Sequence, residues 1–145
     1  MKKLAAAALA VLCVFGLAGC FSNEVTIWEW AQNLEQENII SVIPRSGVDS
    51  DAYIEFESLT DEETLELVAL LNGLTKDNFT ENKDLRGITP TFHLEINTAS
   101  ETYYINESGA PDGALEMKYH DKQWWIDSAV LMEFVQSVTN TKPAE

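Results

Sequence analysis

The chain has 145 residues, of which 46% are hydrophobic and 23% charged, a composition typical of a folded protein rather than a disordered one. Its 24 acidic residues against 9 basic ones give a formal net charge of −15 at pH 7. Such a surface repels nucleic acid and anionic lipid headgroups, so direct binding of either is not expected. The length suits one domain and not two.

The N-terminal segment has the features of a bacterial export signal. Two lysines precede an apolar stretch, residues 4–17, that is too short for a stable membrane span. It ends in Leu-Ala-Gly-Cys at residues 17–20, which resembles the lipobox of bacterial lipoproteins. That resemblance implies that diacylglycerol is attached to the sulfur of Cys20 and that the chain is cut before this residue. An ordinary secretory signal with an incidental cysteine and a membrane-spanning anchor are the alternatives.

The lipobox fixes the expected organisation of the mature protein. We predict a signal peptide at residues 1–19, a lipid-anchored tether at 20–25, a single domain at 26–140 and a frayed end at 141–145. Loss of the signal leaves 7 basic against 24 acidic residues, a net charge of −17. Two acyl chains, each contributing ~0.8 kcal/mol per buried methylene, would hold the domain on the extracellular face of the cell membrane. Cys13 leaves with the signal, so the domain has no disulfide and depends on its apolar core.

One helix and two strands are predicted at the start of the domain. Apolar residues within 27–34 recur with helical spacing, which favours a helix. The β-branched run 39–43 predicts a strand, and Pro44 is expected to end it. A turn is predicted at 46–51, followed by a half-buried strand at 53–59, where hydrophobic and polar residues alternate. The residues of this second strand expected to face the core are Ile54 and Phe56.

A second helix is predicted with a defined start and end. Thr60 and Glu63 form a capping box, which indicates a helix over residues 61–72 with leucines on its buried side. Gly73 is placed to end this helix in the left-handed conformation. The polar stretch 76–87 predicts a loop.

After Pro90 the hydrophobic pattern switches to a period of two, which predicts a meander of four strands. The strands are expected at residues 92–97, 102–106, 115–119 and 123–126. The side chains expected to face inward are Phe92, Leu94, Ile96, Tyr103, Ile105, Leu115, Met117, Tyr119, Trp124 and Ile126. Those expected to face outward include His93, Glu95, Asn97, Tyr104, Glu116, Lys118 and Trp125.

A last helix completes the predicted fold. Asp127 is expected to cap it, and its buried stripe is Val130, Leu131, Phe134, Val135 and Val138. The element order predicts an α+β fold: an antiparallel sheet with helices on one face, the other face being open to water. The strand–helix–four strands–helix core resembles the TATA-binding-protein-like topology, also found in β-lactamase-inhibitor proteins. Topology of this kind does not fix function.

Three stretches of the domain resemble a known group of proteins. They are Trp-Glu-Trp-Ala-Gln-Asn-Leu at 28–34, Asn-Lys-Asp-Leu-Arg-Gly-Ile-Thr-Pro at 82–90, and Leu-Glu-Met-Lys-Tyr at 115–119 continuing to Trp-Trp-Ile at 124–126. They are similar to small uncharacterised lipoproteins of Gram-positive bacteria that carry a domain of unknown function. The resemblance covers most of residues 26–138. It implies a cell-surface location and assigns no catalytic residue.

The sequence offers little for catalysis or metal binding. His93 and His120 are its only imidazoles, and it has no Gly-x-Ser-x-Gly elbow. Paired metal-ligating histidines or cysteines are absent, and the acidic segments 49–51 and 77–81 lack the spacing of a calcium loop. We therefore expect no enzyme activity, cofactor or metal, with calcium binding at an acidic loop left open. A small surface hydrolase is an alternative that needs one histidine against a carboxylate in a pocket.

Aromatic residues carry the functional prediction. Neighbouring Trp124 and Trp125 must point to opposite faces of a strand, which places Trp125 outward, close to Tyr104 and Lys118. Aromatic anchors within a polar rim are typical of protein-binding surfaces. We predict a non-enzymatic binding module that presents its open sheet face to a protein or peptide, with Trp125, Tyr104 and Lys118 as contacts.

Three alternatives to this binding surface stay open. An outward aromatic pair could serve only to stabilise the sheet, by ~0.2–1 kcal/mol. The first helix could cover the outward face by packing Trp28 or Trp30 on Trp125. The protein could also be a structural or spacer lipoprotein of the cell envelope with no dedicated ligand.

Overall fold

The computed structural model describes residues 24–47, 54–83, 90, 92–108 and 113–140. Several predictions lie outside these residues. They concern the signal peptide, the lipobox with Cys20, most of the tether, most of the turn at 46–51, Tyr53 and the C-terminal end. Each helix in the described part of the chain falls short of the length and hydropathy that a membrane span requires.

The described residues form three α-helices and one seven-stranded sheet. The helices are α1 (Ile27–Gln32), α2 (Asp61–Asn72) and α3 (Ala129–Thr139). The strands are β1 (Ile39–Ser46), β2 (Ile54–Glu55), β3 (Phe79–Glu81), β4 (Phe92–Thr98), β5 (Thr102–Glu107), β6 (Leu115–Tyr119) and β7 (Lys122–Ile126). Their order across the sheet is β2-β1-β4-β5-β6-β7-β3, and all neighbours are antiparallel. The predicted α+β class and the four-strand meander, β4–β7, are confirmed.

One apolar core joins the three helices to one face of the sheet. The strand residues of this inner face alternate along the sequence, and they pack against helix residues that recur every three or four positions. Both spacings are those that the sequence patterns predict. The fully buried strand residues are Val42, Leu94, Ile96, Ile105, Leu115, Met117 and Ile126. The fully buried helix residues are Ile27, Ala31, Leu67, Leu71, Leu131 and Val135.

Capping explains where α1 and α2 begin. The side chain of Thr60 accepts a hydrogen bond from the Glu63 amide, and Glu63 Oε2 accepts one from the Thr60 amide at 2.8 Å. Thr26 and Glu29 repeat this arrangement at α1. Both helices were predicted, and the bounds of α2 match the prediction. The predicted left-handed conformation of Gly73 is wrong, because its φ of −76° and ψ of −11° are right-handed helical values.

The prediction that Pro44 ends the first strand is wrong. Strand β1 continues to Ser46, and Pro44 lies opposite Leu94 of β4. The carbonyl of Pro44 accepts a hydrogen bond from the amide of Phe56, which lies on the side of β1 away from β4. A residue's N–H and C=O share one side of a strand, so the N–H that proline lacks would face the short, irregular β2 side. The β4 ladder therefore loses no hydrogen bond at Pro44.

Two edge strands differ from their predicted forms. Only Ile54 and Glu55 form β2, and Ile54 is 51% exposed, whereas Phe56 is buried as predicted. The predicted loop at 76–87 contains a strand, β3, whose residue Phe79 is buried opposite Ile126 of β7. A strand of three residues shows too little alternation to be distinguished from a polar loop.

The start of α3 differs by one residue from the prediction. Ser128, and not Asp127, is the N-cap, and its hydroxyl accepts a hydrogen bond from the Leu131 amide at 3.3 Å. The predicted stripe is otherwise buried, with Phe134 at its centre, but Val130 is exposed. This helix packs on β1 and β4 and against α2, so all three helices lie on the inner face.

Candidate functional site on the outward face of the sheet

The sheet face opposite the helices is polar. We call it the outward face. Strand pairing aligns one row of its residues across six neighbouring strands: Arg45, His93, Asn106, Glu116, Trp125 and Thr80. A second row runs from Ile43 through Glu95 to Tyr104. The outward face therefore carries charged, amide and aromatic side chains in register.

The three predicted contact residues all lie on this face. Tyr104 of β5 is 43% exposed and pairs with Glu95, while Lys118 of β6 is exposed and pairs with Gln123. Trp125 of β7 is half-buried and pairs with Glu116. Three consecutive strands thus bring together one exposed aromatic ring, one exposed ammonium group and one partly covered indole. Their role in binding stays a prediction.

The alternative in which α1 covers Trp125 is wrong. Trp28 packs edge to face on Trp124, with ring centroids 6.2 Å apart, and Trp30 packs on Tyr103 at 4.7 Å. Trp124 and Tyr103 belong to the inner face, because each pairs with a residue whose side chain is in the core. The first helix therefore lies on the core side of the sheet and leaves Trp125 uncovered by α1.

The sequence predicts that the outward face is open to water, and this prediction is wrong at His93. Its side chain points outward, but the residue is only 8% exposed. Arg45 is its cross-strand neighbour, and the ring of Tyr104 stands edge-on at 5.8 Å. Burial lowers the pKa of His93 below 6.5, the Arg45 charge lowers it further, and the Glu95 carboxylate opposes both.

An ion-pair cluster beside His93 is a feature that the sequence did not reveal. Arg45 Nη1 lies 3.3 Å from Glu55 Oε2, and Arg45 Nη2 lies 3.0 Å from Glu95 Oε2. The guanidinium thus links carboxylates of the two strands that flank β1. Alternation predicts an outward direction for Glu95, but Arg45 lies beyond the predicted end of its strand, and no local pattern sets the register that brings the two together.

The second histidine lies elsewhere. His120 is exposed in the two-residue turn between β6 and β7, where its φ of +54° is in the left-handed region, and its ring contacts Tyr119 at 4.2 Å. His120 lines a shallow cavity of about 180 Å³ beside the start of α1, together with Asp121 and Glu24, which is the arrangement that the hydrolase alternative requires. His93 lines neither this cavity nor those at the β4–β5 turn and beside α3. Within the described part of the chain, no three His, Cys, Asp or Glu residues are grouped to hold a metal ion. Asp49 and Asp51 of the calcium hypothesis lie outside that part.

A cavity that the sequence did not predict lies at the β4–β5 turn. It has a volume of about 480 Å³ and is bordered by α1 on one side and by residues 98–100 on the other. Trp30 and Tyr103 form its aromatic wall. A content of 10% aromatic residues is the only signal of this cavity in the sequence, and composition does not show which rings meet.

Comparison with known proteins adds a fold relationship. No family model matches this sequence, and no curated protein matches it. The structure is similar to a crystal structure named "Putative Lipoprotein from Clostridium perfringens", with a TM-score of 0.52. The alignment covers 80% of this chain and 98% of that one at 22% sequence identity. At that identity the similarity shows a shared fold.

Proposed function

We propose that this chain is a lipid-anchored protein of the extracellular membrane face whose domain binds a protein or peptide without catalysing a reaction. Two observations support the anchor. The sequence at residues 17–20 resembles a lipobox, and a protein of similar fold carries the word lipoprotein in its name. The binding role rests on the outward face of the sheet.

The placement of Tyr104, Lys118 and Trp125 on consecutive strands of one face carries this proposal. An aromatic ring that is 43% exposed, an exposed lysine and a partly accessible indole supply both apolar contact area and charge. Aromatic residues are enriched at energetic hot spots of interfaces, with polar neighbours that exclude water around them. A partner segment with an acidic group would fit Lys118, and its apolar side chains would fit the two rings.

Site-specific photocrosslinking tests the surface in the cells that make the protein. Tyr104 is replaced by a photoreactive phenylalanine in the full-length chain, and exposed Leu65 of α2 is the matched control on the helix side. We expect a discrete crosslinked product from position 104 that is absent from position 65. Trp125→Ala in the position-104 protein should reduce the product severalfold, because the removed indole contacts the partner.

The outcome separates the binding proposal from the spacer alternative. Equal products from positions 104 and 65, or a product that Trp125→Ala does not change, would contradict binding through the outward face. A spacer protein predicts random, weak crosslinks at both positions.

A further inference from the structure

We infer that the cavity between α1 and the β4–β5 turn binds an organic ammonium ion, of the trimethylammonium type, against the rings of Trp30 and Tyr103. This inference concerns the helix side of the sheet and is independent of the outward face. The cavity has a volume of about 480 Å³, within the ~300–1,000 Å³ that is usual for small-molecule sites.

Two aromatic rings form a wall that can hold a cation. The ring centroids of Trp30 and Tyr103 are 4.7 Å apart with planes at 47°, so the rings enclose an angle and do not stack flat. Both residues are only half-buried, and both line the cavity. The face of an aromatic ring is electronegative, and a cation within about 6 Å of its centroid is attracted to it.

Carboxylates give this cavity a negative potential. Glu29 lines it, and hydrogen bonds from the Thr26 amide and hydroxyl lower the pKa of Glu29, which therefore stays ionised at neutral pH. Burial, and then the charge of Glu101, raise the pKa of Tyr103 to about 12. The negative charge of Glu101 therefore acts at the aromatic wall as well. No Lys, Arg or His occurs among the described residues that line the cavity, so an anion would find no counter-charge there.

The domain's other packed tryptophans provide an internal comparison. Lys76 Nζ lies 5.6 Å from the ring centroid of Trp28, and Lys122 Nζ lies 5.9 Å from that of Trp124. Each of these rings already has an ammonium group from the chain itself. No lysine or arginine of the described residues lies over Trp30 in this way, although its cavity is acidic. An ammonium ion from solution would make the same cation–π contact with Trp30 that lysine side chains make with Trp28 and Trp124.

The cavity can also select a polar ammonium compound over a bare cation. Asn33, Asn38 and Ser100 line its edge with amide and hydroxyl groups that can hydrogen-bond the remainder of the ligand. A trimethylammonium group prefers such a site to water more than a metal ion does, because its methyl groups gain from apolar contact with Trp30 and Leu34.

Choline and its neutral isostere, 3,3-dimethylbutan-1-ol, form the decisive pair of probes. They have nearly the same shape and differ in charge. Calorimetric titration of the purified full-length protein in a neutral detergent should show saturable binding of choline. The neutral alcohol should bind at least about tenfold more weakly, a difference that charge alone can supply. Phosphatidylcholine vesicles in a parallel titration show whether a lipid headgroup or only a free ammonium compound is accepted.

Three substitutions locate the binding. Glu29→Gln should weaken choline binding severalfold while keeping α1, because glutamine also completes a capping box. Trp30→Leu should abolish it, whereas Trp28→Leu, on the same helix, should leave the affinity within about twofold. Trp125→Ala on the outward face should have no effect, so this inference and the proposed function can fail separately. Equal affinities for choline and the alcohol, equal losses from Trp28→Leu and Trp30→Leu, or no saturation by choline would overturn it.

Discussion

Trp28 of α1 and Trp124 of β7 meet edge to face, with their ring centroids 6.2 Å apart and their planes at 84°. This contact fixes the first helix to the inner face of the sheet. Trp125 follows Trp124 in the same strand, so its side chain points to the opposite face. The packing of one tryptophan pair therefore determines which indole belongs to the core side and which faces outward.

A double-mutant cycle measures this contact. Trp28→Leu and Trp124→Leu should show a coupling free energy of about 0.5–1.5 kcal/mol in urea unfolding, the range for edge-to-face aromatic pairs. The control cycle combines Trp28→Leu with Trp125→Leu, and these two changes should add within about 0.5 kcal/mol. Similar coupling in both cycles would mean that α1 does not distinguish the two faces.

The last helix gives a direct test of the core. Phe134 is 8% exposed and Val130, one turn earlier on the same helix, is 60% exposed. Phe134→Ala should lower the free energy of unfolding by ~3–5 kcal/mol, because it leaves a cavity in the apolar core where α3 is packed. Val130→Ala should change it by no more than about 0.5 kcal/mol. A loss well under 1 kcal/mol for Phe134→Ala would show that α3 is not docked.

Two adjacent residues separate the observed cap of α3 from the one that the sequence suggested. Ser128→Ala removes the hydroxyl that accepts the Leu131 amide, and it should cost about 1 kcal/mol in thermal or urea unfolding. Asp127→Ala should cost less than half of this, because the hydrogen bonds that join Asp127 to Asn78 involve the backbone of Asp127. The reverse order of the two losses would assign the cap to Asp127.

His93 should make stability depend on pH. Its pKa is lowered in the folded protein by burial and then by Arg45, so folding favours the neutral imidazole. The unfolded chain takes up the proton first as the pH falls below about 6.5, and the stabilisation is lost progressively until the lower native pKa is passed.

Urea unfolding between pH 7.5 and 5 provides the measurement. The free energy of unfolding of the wild-type protein should fall more steeply than that of His93→Gln, whose side chain cannot titrate. His120→Asn retains the His93 imidazole and should keep the wild-type slope. Parallel pH profiles for the wild-type protein and His93→Gln would refute a neutral, buried His93.

Most of the fold could be predicted from patterns among residues that are close in the sequence. The capping box at Thr60, the leucine stripe of α2 and the alternation along β4–β7 are properties of neighbouring residues, and each appears in the structure. Pro44 and Phe79 show where such patterns are insufficient. Proline is tolerated in β1 because the N–H that it lacks would face β2 and not the β4 ladder. Phe79 belongs to a strand because it pairs with the edge of β7. Both reasons depend on residues distant in the sequence.

The candidate sites likewise combine features that local patterns predict with features that depend on residues distant in the sequence. The outward direction of Tyr104, Lys118 and Trp125 followed from alternation alone. The burial of His93 did not, because it depends on Arg45 and Tyr104 from neighbouring strands. The cavity at Trp30 and Tyr103 joins a helix to a turn about 70 residues further along the chain, and no local pattern places these two rings together.

The intact mass of the mature protein, extracted from membranes, tests directly whether this domain is displayed on a lipid anchor. We predict a chain that starts at Cys20 and carries a diacylglyceryl group, with further acylation adding whole fatty-acid masses. Cys20→Ala should yield no lipidated species and release no mature protein of that mass. A wild-type protein that starts at another residue, or that has a free thiol at Cys20, would show that the domain is not anchored through Cys20.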